Sequence, residues 1–334
     1  MQSNRSLRRG ISRRSILAGM AAGAILSKGG SASTQPAPAP PRIKGPRVWL
    51  EMDQQELDDA YDQIKYAPNL PQIVKRYATN SEAVRQRLGP PKRLSYGSTP
   101  IEGADLYSTK APNAPINIFI HGGAWRVGLA RDAAYPAETF VAAGAHYIAI
   151  DFLNVTETGG DLMPMARQCR DAVAWVYKNA ASFGGDPKRI YLSGHSSGAH
   201  LAGVVLVTDW EKHYGLPNNV IKGGLLCSGI FDLKAVRLSA RSSYVKFTDD
   251  IEHSLSSQRH LANLNTPVIV AYGTLETPEF QRQSREFAAA VRVSGKPVLL
   301  LVAEQYNHFE IIETLGNPLG LLGRAVLEQM KLTA

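Results

Sequence analysis

The chemistry in this chain begins at Gly194-His195-Ser196-Ser197-Gly198, a G-x-S-x-G pattern. It follows an apolar run, Arg189–Ser193, and opens a helical stretch, Ser197–Asp209. A serine between two glycines on a strand-to-helix turn has its hydroxyl held out of the fold, where it can attack a carbonyl carbon. The start of the following helix favours the negative charge that such an attack develops. A second Gly-rich turn, His121-Gly122-Gly123-Ala124-Trp125, follows the run Ile116–Ile120. Backbone N–H groups there, together with that of Ser197, would form an oxyanion hole. The donors are assigned to Gly123 and Ala124, with a shift by one residue to Gly122 left open. His121 reads as a loop brace and Trp125 as a pocket wall.

A serine nucleophile needs a base and an acid to orient it. His308, in Gln305-Tyr306-Asn307-His308-Phe309-Glu310, follows the run Pro297–Val302 and has no rival histidine after residue 260. The acid should lie in the loop after Pro267–Tyr272, where Glu276 and Glu279 compete. Glu279 follows Pro278 in a helix's first turn, where an acid suits the helix dipole in any case. Glu276 is therefore assigned as the triad acid. The chain order Ser196, Glu276, His308 is that of α/β-hydrolases.

These residues need a scaffold. Runs rich in Ile, Val, Leu and Tyr at Ile116–Ile120, His146–Ile150, Arg189–Ser193, Gly224–Ser228, Pro267–Tyr272 and Pro297–Val302 read as strands buried on both faces. Helical patterns at Ala133–Ala142, Leu162–Ser182, Ser197–Asp209, Glu279–Val293 and Phe309–Met330 alternate with them. Such alternation predicts a mostly parallel central sheet with helices on both faces. The rhythm breaks at residues 232–263, a cap-like insertion after a strand's C-terminal end, where ligand sites gather. Residues 47–90 precede the alternation as an extension whose stretch Glu51–Leu88 reads as two amphipathic helices split by Pro68 and Pro71, too short for a core of its own. Arg126, Tyr244, Phe247 and Tyr306 are further candidates for the pocket.

The 334 residues carry a net charge of +8, but six basic residues, Arg5, Arg8, Arg9, Arg13, Arg14 and Lys28, fall in the first 34, which hold no acid. Setting those six aside leaves 31 Lys and Arg against 29 Asp and Glu, a net +2. A body this near neutrality has no broad basic footprint for nucleic acid and points to a small-molecule partner. The leader, residues 1–33, has a twin-arginine pattern, Ser12-Arg13-Arg14-Ser15, before a short apolar run, Ile16–Leu26. That run falls short of the roughly 18–20 residues of a membrane span. It reads as a cleavable Tat signal, with the Tat translocon as partner and a periplasmic or secreted destination. Residues 34–46 form a Pro/Ala-rich linker up to a hydrolase domain at 47–334. Cys169 and Cys227 could pair in an exported protein, but two buried thiols are the plainer reading. No H-e-x-x-H pattern or Cys/His cluster occurs, so neither a metal nor an organic cofactor is expected.

The two Gly-rich turns, Pro278-Glu279-Phe280 and Asn307-His308-Phe309 resemble the α/β-hydrolase superfamily, within it the arylformamidase (kynurenine formamidase)-like and hormone-sensitive-lipase-like esterase branch. Ala60-Tyr61-Asp62-Gln63 and Ala67-Pro68-Asn69 are similar to bacterial members of that branch. The resemblance runs from about Val48 onward. It implies serine hydrolysis through an acyl-enzyme. Glu276 stands where the branch often has Asp, and Ser197 where it more commonly has Ala. The expected substrates are carboxylic esters, with N-formyl aryl amides as the alternative. A non-catalytic binding protein on the same scaffold is the third reading. The export signal favours the ester, since a formamidase of tryptophan catabolism would act in the cytoplasm.

Overall fold

The computed structural model describes residues 42–333, and the leader and most of the linker lie outside the described residues. Residues Lys44–Ala334 form one compact unit. Its centre is an eight-stranded sheet: β1 (Lys92–Ser95), β2 (Gly103–Tyr107), β3 (Ala114–Ile120), β4 (His146–Ile150), β5 (Gly185–His195), β6 (Ile221–Cys227), β7 (Val268–Gly273) and β8 (Val298–Ala303). The spatial order is β8-β7-β6-β5-β3-β4-β2-β1. Every pairing from β4 through β8 is parallel, and only β2 runs against the rest, antiparallel to both β4 and β1. This is the expected α/β architecture.

Side-chain alternation sorts the strand residues into two cores. Ile118, Ile148, Leu192, Leu226 and Val270 pack on one face, Phe119, Tyr147, Tyr191, Leu225 and Ile269 on the other. Both faces being covered, β3 and β7 are buried at every position.

The helices are α1 (Gln54–Ala60), α2 (Leu70–Leu88), α3 (Ala137–Ala142), α4 (Met163–Asn179), α5 (Ser197–Leu206), α6 (Trp210–Tyr214), α7 (Leu233–Leu238), α8 (Asp249–Ser254), α9 (Pro278–Val293), α10 (Glu310–Glu313) and α11 (Leu321–Gln329). All ten residues of α5 are buried, which explains why it is apolar all round. In the extension, Asp53 and Glu56 form a capping box that starts α1. Pro71 does not split a helix. It occupies the first turn of α2, where its missing N–H costs nothing.

Three features depart from the sequence reading. The edge strands β1 and β2, and a hairpin pairing Arg47–Trp49 with Met52–Asp53, were not expected. In β1 only Leu94 is buried, so no periodic apolar signal exists to read. The expected helix Phe309–Met330 is interrupted: α10 tightens into a 3-10 turn at Thr314–Gly316 and α11 starts afresh at Leu321. Pro318 between them has no N–H to carry a helix through.

The insertion at 232–263 holds α7, α8 and two 3-10 turns, Ala240–Ser243 and Ser257–Asn263. Its hub is Glu252, which accepts from Arg237 at 3.0 Å and Arg259 at 2.9 Å. Cys169 and Cys227 are both buried free thiols, and burial pushes both thiols' pKa values up.

Candidate active site

The C-terminal ends of β3, β5, β7 and β8 meet at one edge of the sheet, and the loops leaving them carry the residues singled out from the sequence. Ser196 joins β5 to α5 with φ +56° and ψ −124°, left-handed backbone that only a constrained turn imposes on a non-glycine residue. Its N–H donates to the Cys227 carbonyl at 2.9 Å. The flanking glycines are required sterically: a Cβ on Gly198 would lie 2.2 Å from the Ile120 carbonyl oxygen, and one on Gly194 would lie 2.5 Å from that of Gly198.

His308 sits in the loop after β8, and its Nε2 lies 2.8 Å from Ser196 Oγ. Its Nδ1 lies 2.8 Å from Glu276 Oε2. The second carboxylate oxygen of Glu276 accepts from Ser228 Oγ at 2.6 Å and from the Gly273 N–H at 2.7 Å. With Nδ1–H donating to the carboxylate, Nε2 is left to accept the serine proton. All three side chains are buried.

The rival acid, Glu279, is engaged elsewhere. It is fully buried, accepts from Arg282 Nε at 2.8 Å and Tyr61 Oη at 3.2 Å, and so ties α9 to the extension. Burial, and next the Glu279 charge, hold the Tyr61 phenol well above its ordinary pKa, so it remains a donor.

Gly123, Ala124 and Trp125 all have positive φ, +121°, +53° and +61°. A Cβ on Gly123 would lie 1.9 Å from the Val127 carbonyl oxygen, so only glycine fits there. Among the described residues no acceptor takes the N–H of Gly122, Gly123 or Ala124. Ser197 heads α5, where its N–H has no intrahelical acceptor. The Ser197 hydroxyl, at a position where the resemblance leads one to expect alanine, accepts the Trp125 N–H at 3.1 Å and pins the strained turn.

Burial disfavours the charged form of three histidines around this centre, His121, His195 and His200. His195 lies beside His308, with ring centroids 4.9 Å apart and planes tilted by 40°, and its Nε2 meets the His308 carbonyl oxygen at 2.8 Å. Burial, reinforced by His308, pushes the His195 pKa down to about 3. His200 accepts from Trp125 Nε1 at 3.1 Å, and its own Nε2 meets the Leu255 carbonyl oxygen at 2.9 Å. Burial pushes its pKa down to about 4. His121 stacks on Phe152 at 4.5 Å, the bracing role expected of it.

Ser196 and His308 open on a cavity of about 1060 Å³. Tyr244 and Arg126 line it, with the guanidinium 4.8 Å above the phenol ring. Three sequence expectations need correction. Trp125 and Phe247, 6.4 Å apart, are buried behind the wall and do not line the cavity, because the turn at 123–125 rotates the indole toward His200. Tyr306 is 37% exposed and lies outside the lining. Sequence reasoning missed the extension's share of the site: Tyr61, Asp62, Leu70, Val74 and Tyr77 line the cavity. The only signal for them was the likeness of Ala60–Gln63 to bacterial relatives. It also missed Ser228 and Arg241.

An elbow serine on the central strand of a mostly parallel sheet, with acid and base on later loops, defines an α/β-hydrolase. The chain belongs to the BD-FAE family, whose profile matches residues 104–288. It is similar to kynurenine formamidase of Danio rerio, with 29% identity over 84% of this chain and 98% of that protein. It is also 24% identical to isoprenylcysteine alpha-carbonyl methylesterase of Arabidopsis thaliana, over 68% of this chain and 58% of the other. Among solved structures, esterase LipW of Mycobacterium marinum has the same fold, with a TM-score of 0.64 and 16% identity over 80% of this chain and 91% of that one. The protein is a hydrolase enzyme.

Two predictions come from this geometry. Removing the hydroxyl in Ser197→Ala frees the Trp125 N–H and loosens the turn. A lost neutral hydrogen bond of about 1 kcal/mol predicts a roughly fivefold lower kcat with little change in KM. Steady-state kinetics on an ester check it, and an unchanged kcat contradicts the pinning role. The second concerns acid. Both histidines have folded pKa values below the ordinary 6.5, so the unfolded chain binds more protons between pH 6.5 and about 4. Their contribution to stability is complete above pH 6.5 and is lost as pH falls through that window. Urea midpoints should therefore drop from pH 7 to pH 4, with a shallower slope in His200→Gln. An identical slope in the variant would exclude His200 as a source.

Proposed function

We propose that the protein is an exported serine hydrolase that cleaves carboxylic esters through an acyl-enzyme. The observation that carries this reading is the unbroken chain Glu276–His308–Ser196, 2.8 Å at each link, beside unpaired backbone donors. In the first step Ser196 Oγ bonds to the substrate carbonyl carbon while His308 Nε2 takes its proton. The carbonyl oxygen, now an anion, rests on N–H groups of Ser197 and of the Gly123–Ala124 turn. Glu276 stabilises the imidazolium without taking its proton. His308 then gives that proton to the departing alkoxide or amine as the bond to the acyl carbon breaks. Water, deprotonated by the same Nε2, attacks the acyl-enzyme and releases the acid and free Ser196.

A second reading, hydrolysis of N-formyl aryl amides, is favoured by one observation: the likeness to the zebrafish kynurenine formamidase spans 98% of that protein. The same three side chains serve both reactions, since each attacks an acyl carbon and protonates a leaving group. Ester cleavage ranks first because its leaving group departs more easily and an exported enzyme meets esters outside the cytoplasm. The support for export is the twin-arginine leader.

The decisive comparison is kcat/KM on 4-nitrophenyl acetate against N-formylkynurenine, with Ser196→Ala as the blank. Ester preference is expected, together with a loss of about a thousandfold or more in the variant. Formamide preference would replace the first reading with the second, and retained activity in Ser196→Ala would remove both. For export, Arg13→Lys with Arg14→Lys should leave the protein in the cytoplasmic fraction. Equal export of the double variant would refute the Tat assignment.

A further inference from the structure

Charge on the wall of the catalytic cavity is unevenly satisfied. Among the described residues its carboxylates have partners. Asp58 accepts the Ala240 N–H at 2.6 Å, Asp62 accepts that of Ile64 at 3.1 Å, and Asp59 pairs with Lys65. The two guanidiniums on the same wall, Arg126 and Arg241, have no carboxylate within ion-pair distance among the described residues. Elsewhere among the described residues, arginines beside buried acids are paired with them: Arg282 with Glu279, Arg237 and Arg259 with Glu252, and Arg93 with Asp105 and Asp151.

Arg241 is the more constrained of the two. It stands in the insertion's 3-10 turn, and its Cζ lies 5.6 Å from the rings of both Tyr61 and Trp125 and 5.9 Å from that of Phe280. Its Nη2 donates to the Tyr61 carbonyl at 2.9 Å, while Nη1 is buried with no acceptor among the described residues. Aromatic faces offset part of the cost of a half-buried cation, but they supply no hydrogen-bond acceptor. Glu279, the buried acid that accepts from the Tyr61 hydroxyl, has both of its oxygens occupied by Arg282. The ring of Phe280, against which the guanidinium rests, also packs edge-on to His308 at 4.8 Å. Arg241 is thus one ring removed from the base.

We propose that Arg241, assisted by Arg126, is the docking point for a carboxylate carried by the substrate, so that this enzyme acts on anionic esters or amides. The inference rests on the serine-hydrolase reading above and adds the class of substrate to it. A substrate carboxylate in the cavity that Arg241 lines supplies the acceptor that Nη1 lacks once the guanidinium turns toward it, and the planar fork suits a bidentate pair. The rings of Tyr61, Trp125 and Phe280 packed around the guanidinium shield that pair on one side from bulk water, where it would be worth little.

Two matched pairs of substrates test this, each differing only in the charge of one group: 4-acetoxybenzoate against 4-acetoxybenzamide, and N-formylkynurenine against its α-carboxamide. For whichever pair the wild-type enzyme turns over, kcat/KM should favour the carboxylate by about tenfold or more, carried mainly by KM. Arg241→Gln should bring that ratio close to one, and Arg241→Lys should retain part of it. The ratio within one variant is insensitive to how much of the variant folds. Equal efficiency on both members of a pair by the wild type overturns the inference and leaves the serine-hydrolase reading standing. A wild-type ratio preserved in Arg241→Gln does the same. Failure to hydrolyse any of the four compounds overturns the serine-hydrolase reading, and this inference with it.

Discussion

The close approach of two chain turns governs this structure. The elbow at 194–198 lies directly on the end of β3, so near that a single methyl on Gly198 would sit 2.2 Å from the Ile120 carbonyl oxygen and 2.4 Å from that of His121. Because β3 and β5 are parallel neighbours, the nucleophile and the oxyanion turn leave the sheet at the same edge. Contact between them fixes the distance from Ser196 Oγ to the turn's N–H groups. The cost is backbone strain: Ser196 and, across the site, Ser228 both hold positive φ, each of order 1–3 kcal/mol. Burial of all of α5 behind the elbow and the bond from the Ser196 N–H to β6 oppose that cost.

The same dry surroundings decide which groups carry charge. A second imidazolium at His195, whose ring centroid lies 4.9 Å from that of His308, would work against the charge that the proposed mechanism places on His308. Burial prevents this by keeping His195 neutral down to about pH 3. Glu276 is held on both oxygens, so its position does not depend on its partner imidazole alone. Glutamate carries one more methylene than the aspartate often found here in the resembling branch. The Gly273 N–H and the Ser228 hydroxyl fix the oxygen that the longer side chain would otherwise leave free to turn.

The parts legible in the sequence were those with a local signal. The strands of the parallel core are runs of apolar residues, and the two Gly-rich turns announce their conformation through residue type. Ser196, His308 and Glu276 could be placed because strand-loop-helix order alone tells which loops converge. Other parts depend on contacts between distant segments. The strand β1 is polar because it is an edge, and it is a strand only through pairing with β2. Trp125 was expected in the pocket wall, yet two successive left-handed residues carry its ring to His200. Arg241 is an unremarkable basic residue in a polar stretch until the fold sets Tyr61, Trp125 and Phe280 around it.

The extension shows how far such distant contacts reach into the chemistry. Asn69 donates to Glu310 at 2.7 Å and accepts from Asn307 at 2.9 Å, and the Tyr77 hydroxyl donates to the Phe309 carbonyl. These bonds land on Asn307 and Phe309, which flank His308, and on Glu310, two residues beyond it. A segment with no core of its own therefore does two things at once: it builds one wall of the cavity and it braces the loop that carries the base. Cavity and loop thus rest on one element: Leu70 and Val74 of α2 stand on the wall, while Asn69 at its start and Tyr77 within it hold the loop. A substrate that fills the cavity presses on the same element that holds His308. Substrate fit and proton transfer share that one mechanical support.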